Sequence, residues 1–573
     1  MERRVLLAIS LSFLVLFLFQ RFVMPPPAPV PSAPAATPNQ TQPAGSTPAA
    51  AVPSGGTGEA RTDPAEAARR EGAPAVAATV TESNAREIVV ETTKVKAIFS
   101  NQGAKLVHWI LKEYRSDAGQ PLDLVPGGAG PDAMKPFSLS LDDEAITRRV
   151  NDAIYRVTVD GSPAGSMIDA TASPQTIVFE AASADGMNVR KTFSVEPTSY
   201  IVTFGANVQM GGQRLNPTIN WGPGLGDDIA RAKPASFFSP SYNTPAQPIV
   251  HMDGSAERIA AAQTGSQEGP YRFAGIDDHY FVSMLLNEQN TQGVRFSYAP
   301  VVVPQPDDPN ITAHFVNYSV RFQSPQDQSR FFFGPKEFDT LRAIDPEMTR
   351  VINYGIFAWL AAPLLGALKW VHGFIGNWGW AIIVLTILIN LALFPLRHKS
   401  VVSMRKMQEI QPQMKAIQDR YAKYKITDPE RQKMNTEVME LYKAKGVNPA
   451  SGCIPMLLTF PFLFGFYNML SQSIEIRGAD FGGWIHNLSA PDPFFILPIV
   501  MGLAQFWQTK MTPSTADPTQ QRIMLMMPIM FTVMSLSFPS GLVIYWLVST
   551  IFTIGQQYFT TYLIGAPPRP AVK

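Results

Sequence analysis

The chain has 573 residues, room for more than one domain, with 46% hydrophobic and only 16% charged residues. Soluble proteins carry about 25% charged residues, so this deficit points to a membrane. A formal net charge of +1 gives no overall field to attract nucleic acid, and the single cysteine, Cys453, excludes an internal disulfide.

Residues 5–20, VLLAISLSFLVLFLFQ, follow Arg3-Arg4 and precede a run of prolines from Pro25, the pattern of a retained signal-anchor. Ala33-Pro34-Ala35 makes a poor cleavage site, because of its proline and its distance from the apolar run. Residues 1–24 therefore read as an N-terminal transmembrane anchor. Residues 25–85 are dominated by Pro, Ala, Ser, Thr and Gly, and such a segment buries too little apolar area to offset chain entropy. They read as a disordered linker. From 86 to 350 the texture changes to short alternating runs with turn signals: KVKAIF (94–99), YRVTV (155–159), TIVFEA (176–181) and SYIVTFGANV (199–208). Many short strands at this spacing predict an all-β sandwich, exported if the anchor points outward.

Beyond 350 the chain reads as a polytopic α-helical membrane protein. The spans 378–396, 453–474, 494–509, 523–538 and 541–564 contain no Asp, Glu, Lys or Arg. Between 397 and 452 there are twelve Lys or Arg against six Asp or Glu, whereas 473–493 holds one, Arg477. The positive-inside rule puts the first loop in the cytoplasm and the second outside. With Arg3-Arg4 inside and the β-domain outside, 378–396 runs inward. An extra span at 351–376 would invert that order, so this segment, weakened by Pro363, Lys369 and His372, reads as an interfacial amphipathic helix. The loop 397–452 is a basic helical hairpin: Met407, Ile410, Met414, Ile417, Tyr421 and Tyr424 form a heptad seam with Pro412 as a kink. Asp428-Pro429 caps and opens its second helix.

No P-loop, HExxH, GxSxG or CxxC motif occurs, so no catalytic residue, metal or cofactor is predicted. Asp277-Asp278-His279 reads as part of a loop or strand surface. The apolar spans do carry polar stripes at helical spacing. Thr386 and Asn390 share one face, with Arg397 seven residues further along it. Trp546, Thr550, Thr553 and Gln557 form another; Gly465, Asn468 and Gln472 a third. Gln505 and Gln508 lie three apart, and Ser535 and Ser537 end their span. Such residues also serve as interhelical hydrogen bonds, each worth about 0.6 kcal/mol. Stripes on several spans at once favour a hydrated cavity. Methionines 501, 524, 526, 527, 530 and 534 add a thioether surface suited to partners of varied shape.

The segments NPASGCIPMLLTFPFLFGFYNML (448–470), WIHNLSAPDPFFILPIVMG (484–502), MTPSTADPTQQRIM (511–524) and FPSGLVIYW (538–546) resemble the YidC/Oxa family of membrane protein insertases, of the Gram-negative type with a large periplasmic domain. FFFGPKEFDTL (331–341) and DHYFVSMLL (278–286) fit the end of that domain. The resemblance implies a five-helix insertase core over 377–565, a short cytoplasmic tail at 566–573 and a sandwich resembling the galactose-mutarotase-like supersandwich. It implies insertion, folding and assembly of inner-membrane proteins through a hydrated groove, without bond-making chemistry, independently of or together with the Sec translocon. The partners it implies are nascent membrane proteins, Sec components, the lipid bilayer, and ribosomes or targeting factors at the hairpin, with no sequence-specific nucleic acid binding. Tyr545 and Trp546 match a pair of client-facing aromatics. Arg397, Lys399, Arg405 and Lys406 stand at the groove mouth. At Asn390, however, the family carries an arginine. Three arrangements follow: a groove working by hydration alone, Arg397 or another basic residue reaching in, or altered activity. The polar stripes favour the first. A small-solute transporter or channel is the alternative function; neither inverted repeats nor intramembrane charges support it.

Overall fold

The computed structural model describes residues 81–116, 119–126, 133–226, 246–287, 293–304, 312–424, 428–446, 454–512 and 518–564. The expected anchor (1–24), the linker up to residue 80 and the tail (566–573) lie outside them. Strands run from Glu87 to Pro335 and form, among the described residues, one sheet of eleven strands and two of five. Alternation drives their pairing. Met187–Val195 buries every second residue and pairs antiparallel with Gln175–Ala182 on one side and Ile201–Met210 on the other. Ser329–Pro335, SRFFFGP, is buried along nearly its whole length because it runs between two neighbours, Ile201–Met210 and Phe281–Leu286.

Aromatic rings fill the space between the sheets. Phe137 touches Phe193, Phe204, Phe331 and Phe333 with ring centroids 4.7–5.6 Å apart, mostly edge to face. The indole nitrogen of Trp109 donates to the carbonyl of Phe333 at 2.9 Å, so the largest ring leaves no buried donor unpaired. A buried cation sits beside this cluster. Lys191 Nζ donates to the carbonyls of Gly103 at 2.7 Å and Phe137 at 2.9 Å, closing the left-handed turn in which Gly103 has φ +75°. A side chain at position 103 would collide with the backbone of Asn151.

The end of the β-domain is knit to the helices. Short helix α1 (Glu144–Asp152) lies inside the β-region, while α2 (Phe338–Ile344) and a 3-10 turn (Pro346–Val351) lead out of it. Asp277, Asp278 and His279, expected on a surface, are all at most 3% exposed. Counter-charges make that burial tolerable: Asp277 Oδ2 pairs with Lys336 Nζ at 3.3 Å and Arg258 Nη2 at 3.1 Å. Asp278 Oδ1 accepts the backbone N–H groups of Tyr280 and Phe281 at 2.8 and 2.6 Å, and His279 Nε2 donates to the carbonyl of Ser471 at 2.5 Å.

The remaining helices are α3 (Ala358–Ile375), α4 (Trp378–Arg420), α5 (Pro429–Ala444), α6 (Ile454–Gln472), α7 (Ile496–Met511), α8 (Pro518–Ser535) and α9 (Ser540–Ile564). Gly355–Ile375, Trp378–Arg420 and Ser540–Leu563 are long and apolar enough to cross a membrane, with Ile523–Ser535 a shorter apolar helix. Helix α4 continues through Pro395 and Pro412, joining the segment 378–396 to the hairpin as one 43-residue helix. At α5, Asp428 accepts the N–H of Glu430 at 3.0 Å with Pro429 at the first helical position, as its sequence signals. The hairpin closes through Arg420 and the Tyr421 hydroxyl, both on Glu437, at 2.7 and 2.6 Å.

Two outcomes follow from this packing. Phe137→Ala empties the aromatic cluster and is expected to cost about 3–5 kcal/mol, read from urea unfolding followed by tryptophan fluorescence. The second concerns acid. Burial, with Lys336 nearby, pushes the His279 pKa down to about 4 from the ordinary histidine value of 6.5. The folded state then binds fewer protons than the unfolded state between those values. Stability is full above pH 6.5 and is lost as pH falls toward about 4. His279→Gln is expected to flatten that part of the pH profile of the unfolding midpoint.

Candidate functional site

Helices α4 and α9 lie side by side, and their shared seam is polar. Thr386 and Asn390 are both buried on α4. The Thr386 hydroxyl donates to the carbonyl of Ile382 at 2.6 Å, and Asn390 Nδ2 to that of Thr386 at 2.7 Å. These bonds tie the Thr386 hydroxyl and one amide N–H of Asn390 to their own helix and leave the amide oxygen facing along the seam. Arg397, two turns further on, donates from Nη1 to Asn390 Oδ1 at 2.6 Å and to Thr553 Oγ1 at 3.3 Å. Ser549 Oγ reaches the same amide oxygen at 3.4 Å. Below them His398 Nδ1 lies 3.2 Å from Thr560 Oγ1, Gln556 Nε2 donates to the carbonyl of Phe394 at 3.3 Å, and Arg405 Nη2 to Thr561 Oγ1 at 2.6 Å. An amide and hydroxyls thus hold a guanidinium in an otherwise apolar bundle, where an unpaired polar group is costly.

A second group gathers where α7, α8 and α9 meet. Gln505, Gln508 and Thr509 of α7 face Met524, Met527 and Phe531 of α8 across a cleft of about 210 Å³, with Trp546 of α9 as a further lining residue. Phe531 and Trp546 meet edge to face at 5.5 Å. One wall offers amides and a hydroxyl, the other thioethers and rings. That combination suits an amphipathic segment of variable shape.

The remaining predicted residues lie apart from these two groups or use part of their bonding capacity within their own helix. Tyr545 is buried and stacks on Phe466 of α6 at 4.3 Å, joining α6 to α9. Thr550 Oγ1 donates back to the carbonyl of Trp546 at 2.9 Å, and Thr553 Oγ1 to that of Ser549 at 2.8 Å, so part of their bonding capacity serves their own helix. Ser535 does likewise, donating to the carbonyl of Thr532 at 2.9 Å. Asn468 Nδ2 donates to the carbonyl of Tyr354 at 3.0 Å, tying α6 to the turn before α3; Gln472, one turn on, is half-buried. Lys399 and Lys406 are exposed, whereas Arg405, expected at the mouth, is buried against α9.

Sequence reading missed Ser549, Gln556, Thr560 and Thr561. Their signal was present: Ser549, Thr553 and Thr560 recur at four and seven residues on α9, the face that meets α4. Thr509 and Phe531 carried no such periodic mark; only the crossing of α7 with α8 brings them to one cleft.

The 60Kd inner membrane protein family matches residues 370–566, and the YidC periplasmic domain family matches residues 87–367. A protein of Geobacter metallireducens named membrane protein insertase YidC is 33% identical over 99% of this chain and 99% of its own. A second, from Cupriavidus necator, is 33% identical over 86% of each chain. The solved structure described as an active YidC insertase with the first transmembrane domain resolved covers 84% of this chain and 94% of that one, at 17% identity and a TM-score of 0.33.

Proposed function

The chain belongs to the YidC family of membrane protein insertases, and from that premise we propose that Arg397 supplies the positive charge of its groove, in place of the arginine missing at position 390. It is an inner-membrane insertase with a periplasmic domain. The observation that carries the proposal is the 2.6 Å contact from Arg397 Nη1 to Asn390 Oδ1. Both bonded partners of the guanidinium, Asn390 and Thr553, are neutral, so they orient the charge without cancelling it. An acidic residue entering hydrocarbon costs roughly 2.5–3.5 kcal/mol on insertion scales. A cation held within the bundle lowers that cost for a client whose leading tail is acidic. Hydration alone, the arrangement the polar stripes favoured, leaves this guanidinium unexplained.

In this reading clients enter between the α4–α9 seam and the α7–α8–α9 cleft, which offer polar groups to the translocating tail and thioether and aromatic surface to the apolar segment. The hairpin of α4 and α5 lies in the cytoplasm and receives ribosomes or targeting factors; the β-domain lies in the periplasm. Work beside the Sec translocon and a chaperone role belong to the same reading. Helix α3 rests on the outer surface of the membrane. Trp359, Trp370 and Phe374 are exposed on one side of it and Leu364, Leu365 and Leu368 are buried on the other. Its Lys369 pairs with Asp339 of α2 at 2.8 Å and Glu475 at 2.7 Å, partners suited to the water side rather than to mid-membrane.

Small clients with acidic or neutral outer tails test the charge in depleted cells. Arg397→Ala is expected to slow insertion of the acidic-tailed client by about tenfold, equivalent to about 1.4 kcal/mol, and to spare the neutral one. The paired change Asn390→Arg with Arg397→Ala is expected to restore it. Equal slowing of both clients, or no slowing, would count against the proposal.

A further inference from the structure

The outer end of α6 is held by groups that the groove itself does not use. An α-helix leaves its last four carbonyls without helical partners. Here one of them, that of Ser471, accepts from His279 Nε2 at 2.5 Å, a side chain 192 residues earlier in the chain and set in the β-domain. A carbonyl oxygen only accepts, so Nε2 carries the proton of a ring that is otherwise buried. Two further ties of different chemistry reach the same short stretch. The guanidinium of Arg477 lies over the rings of Tyr280 and Phe281, at 5.2 and 5.0 Å from their centroids. Lys369 bridges Asp339 and Glu475. Residues 471–477 are thus gripped from His279-Tyr280-Phe281 on one side and from α2 and α3 on the other.

What this grip controls follows from where α6 leads. Phe466, five residues before Ser471, stacks on Tyr545 of α9, the helix that carries one side of the polar seam. Beside this stack α6 leans on α3, with Gly465 against Leu360, and on the turn before α3, with Phe464 stacked on Phe357 at 5.8 Å. The segment just beyond Ser471 is the part of this wall joined directly to the β-domain.

We infer that His279 is a positioning residue for insertion: by holding the last turn of α6 it lets the β-domain set how closely α6 approaches α9 at the outer end of the groove. The inference rests on the reading of α6 and α9 as groove walls. It gives the buried Asp-Asp-His segment a task that is neither catalytic nor metal-binding: Asp278 shapes the turn, Asp277 with Lys336 and Arg258 fixes its base, and His279 makes the contact.

The experiment uses the full-length protein in membranes, with cysteines at Phe466 and Tyr545 reporting the approach of α6 to α9 through disulfide yield, and insertion assayed separately without them. His279→Ala is expected to lower both the yield and the insertion rate, by roughly threefold for the loss of one buried hydrogen bond. His279→Gln, which keeps an N–H donor, is expected to restore both. Arg477→Ala is expected to lower the yield as well, independently of the histidine. An unchanged disulfide yield in His279→Ala overturns the anchor. A lowered yield with unchanged insertion overturns the positioning role. A glutamine variant as poor as the alanine variant overturns the hydrogen bond as its agent. Arg397→Ala in the same assay reports on the groove reading alone, because it leaves the α6 anchor intact.

Discussion

A guanidinium within an apolar bundle has to be met by acceptors, and the amide of Asn390 meets that of Arg397. Much of the helical architecture is consistent with that single contact. The asparagine donates to its own helix and keeps its oxygen for Arg397; the small hydroxyls of α9 let that helix come close and share the charge. A larger or apolar residue at 390 would leave Arg397 to find water or turn away. The same geometry explains why a polar residue interrupts the apolar span 378–396: Asn390 is a socket for a side chain seven residues away.

The β-domain obeys a different constraint. Its core is assembled from rings contributed by distant strands, so its stability lies in mutual contact rather than in any one pair. Where it meets the helices the balance changes to ions and hydrogen bonds. Asp277, Lys336 and Arg258 would each be costly alone in that place, and together they fix a turn whose geometry an apolar contact would leave loose.

Much of this was legible in the chain. Alternation marked the strands at 176–181 and 199–208, and the Asp428-Pro429 cap marked the start of α5, because these signals depend only on near neighbours. The polar stripe on α4 was legible for the same reason. What could not be read was which way long side chains travel. Arg397 lay on the face of Thr386 and Asn390 and could be read as reaching in, but Arg405 looked like a member of a basic loop; it turns back onto α9, since charge counts carry no direction. Asp277-Asp278-His279 looked solvent-facing because its counter-ions lie at 258 and 336, too far along the chain for any local pattern to connect. Pro412 reads as a kink within the helix, and the helix does run on past it, since proline removes only one internal bond.

The continuity of α4 has a mechanical meaning. From Arg405, itself bonded to α9, to Arg420 the helix extends about 22 Å at 1.5 Å rise per residue. A rod clamped by its seam near one end is a lever. A tilt of about 5° about Arg405 would carry the far end sideways by roughly 2 Å over that length. A partner docked on the hairpin, as proposed above, would pull on that arm, while Arg397 lies on the clamped side of the fulcrum, where displacement is small.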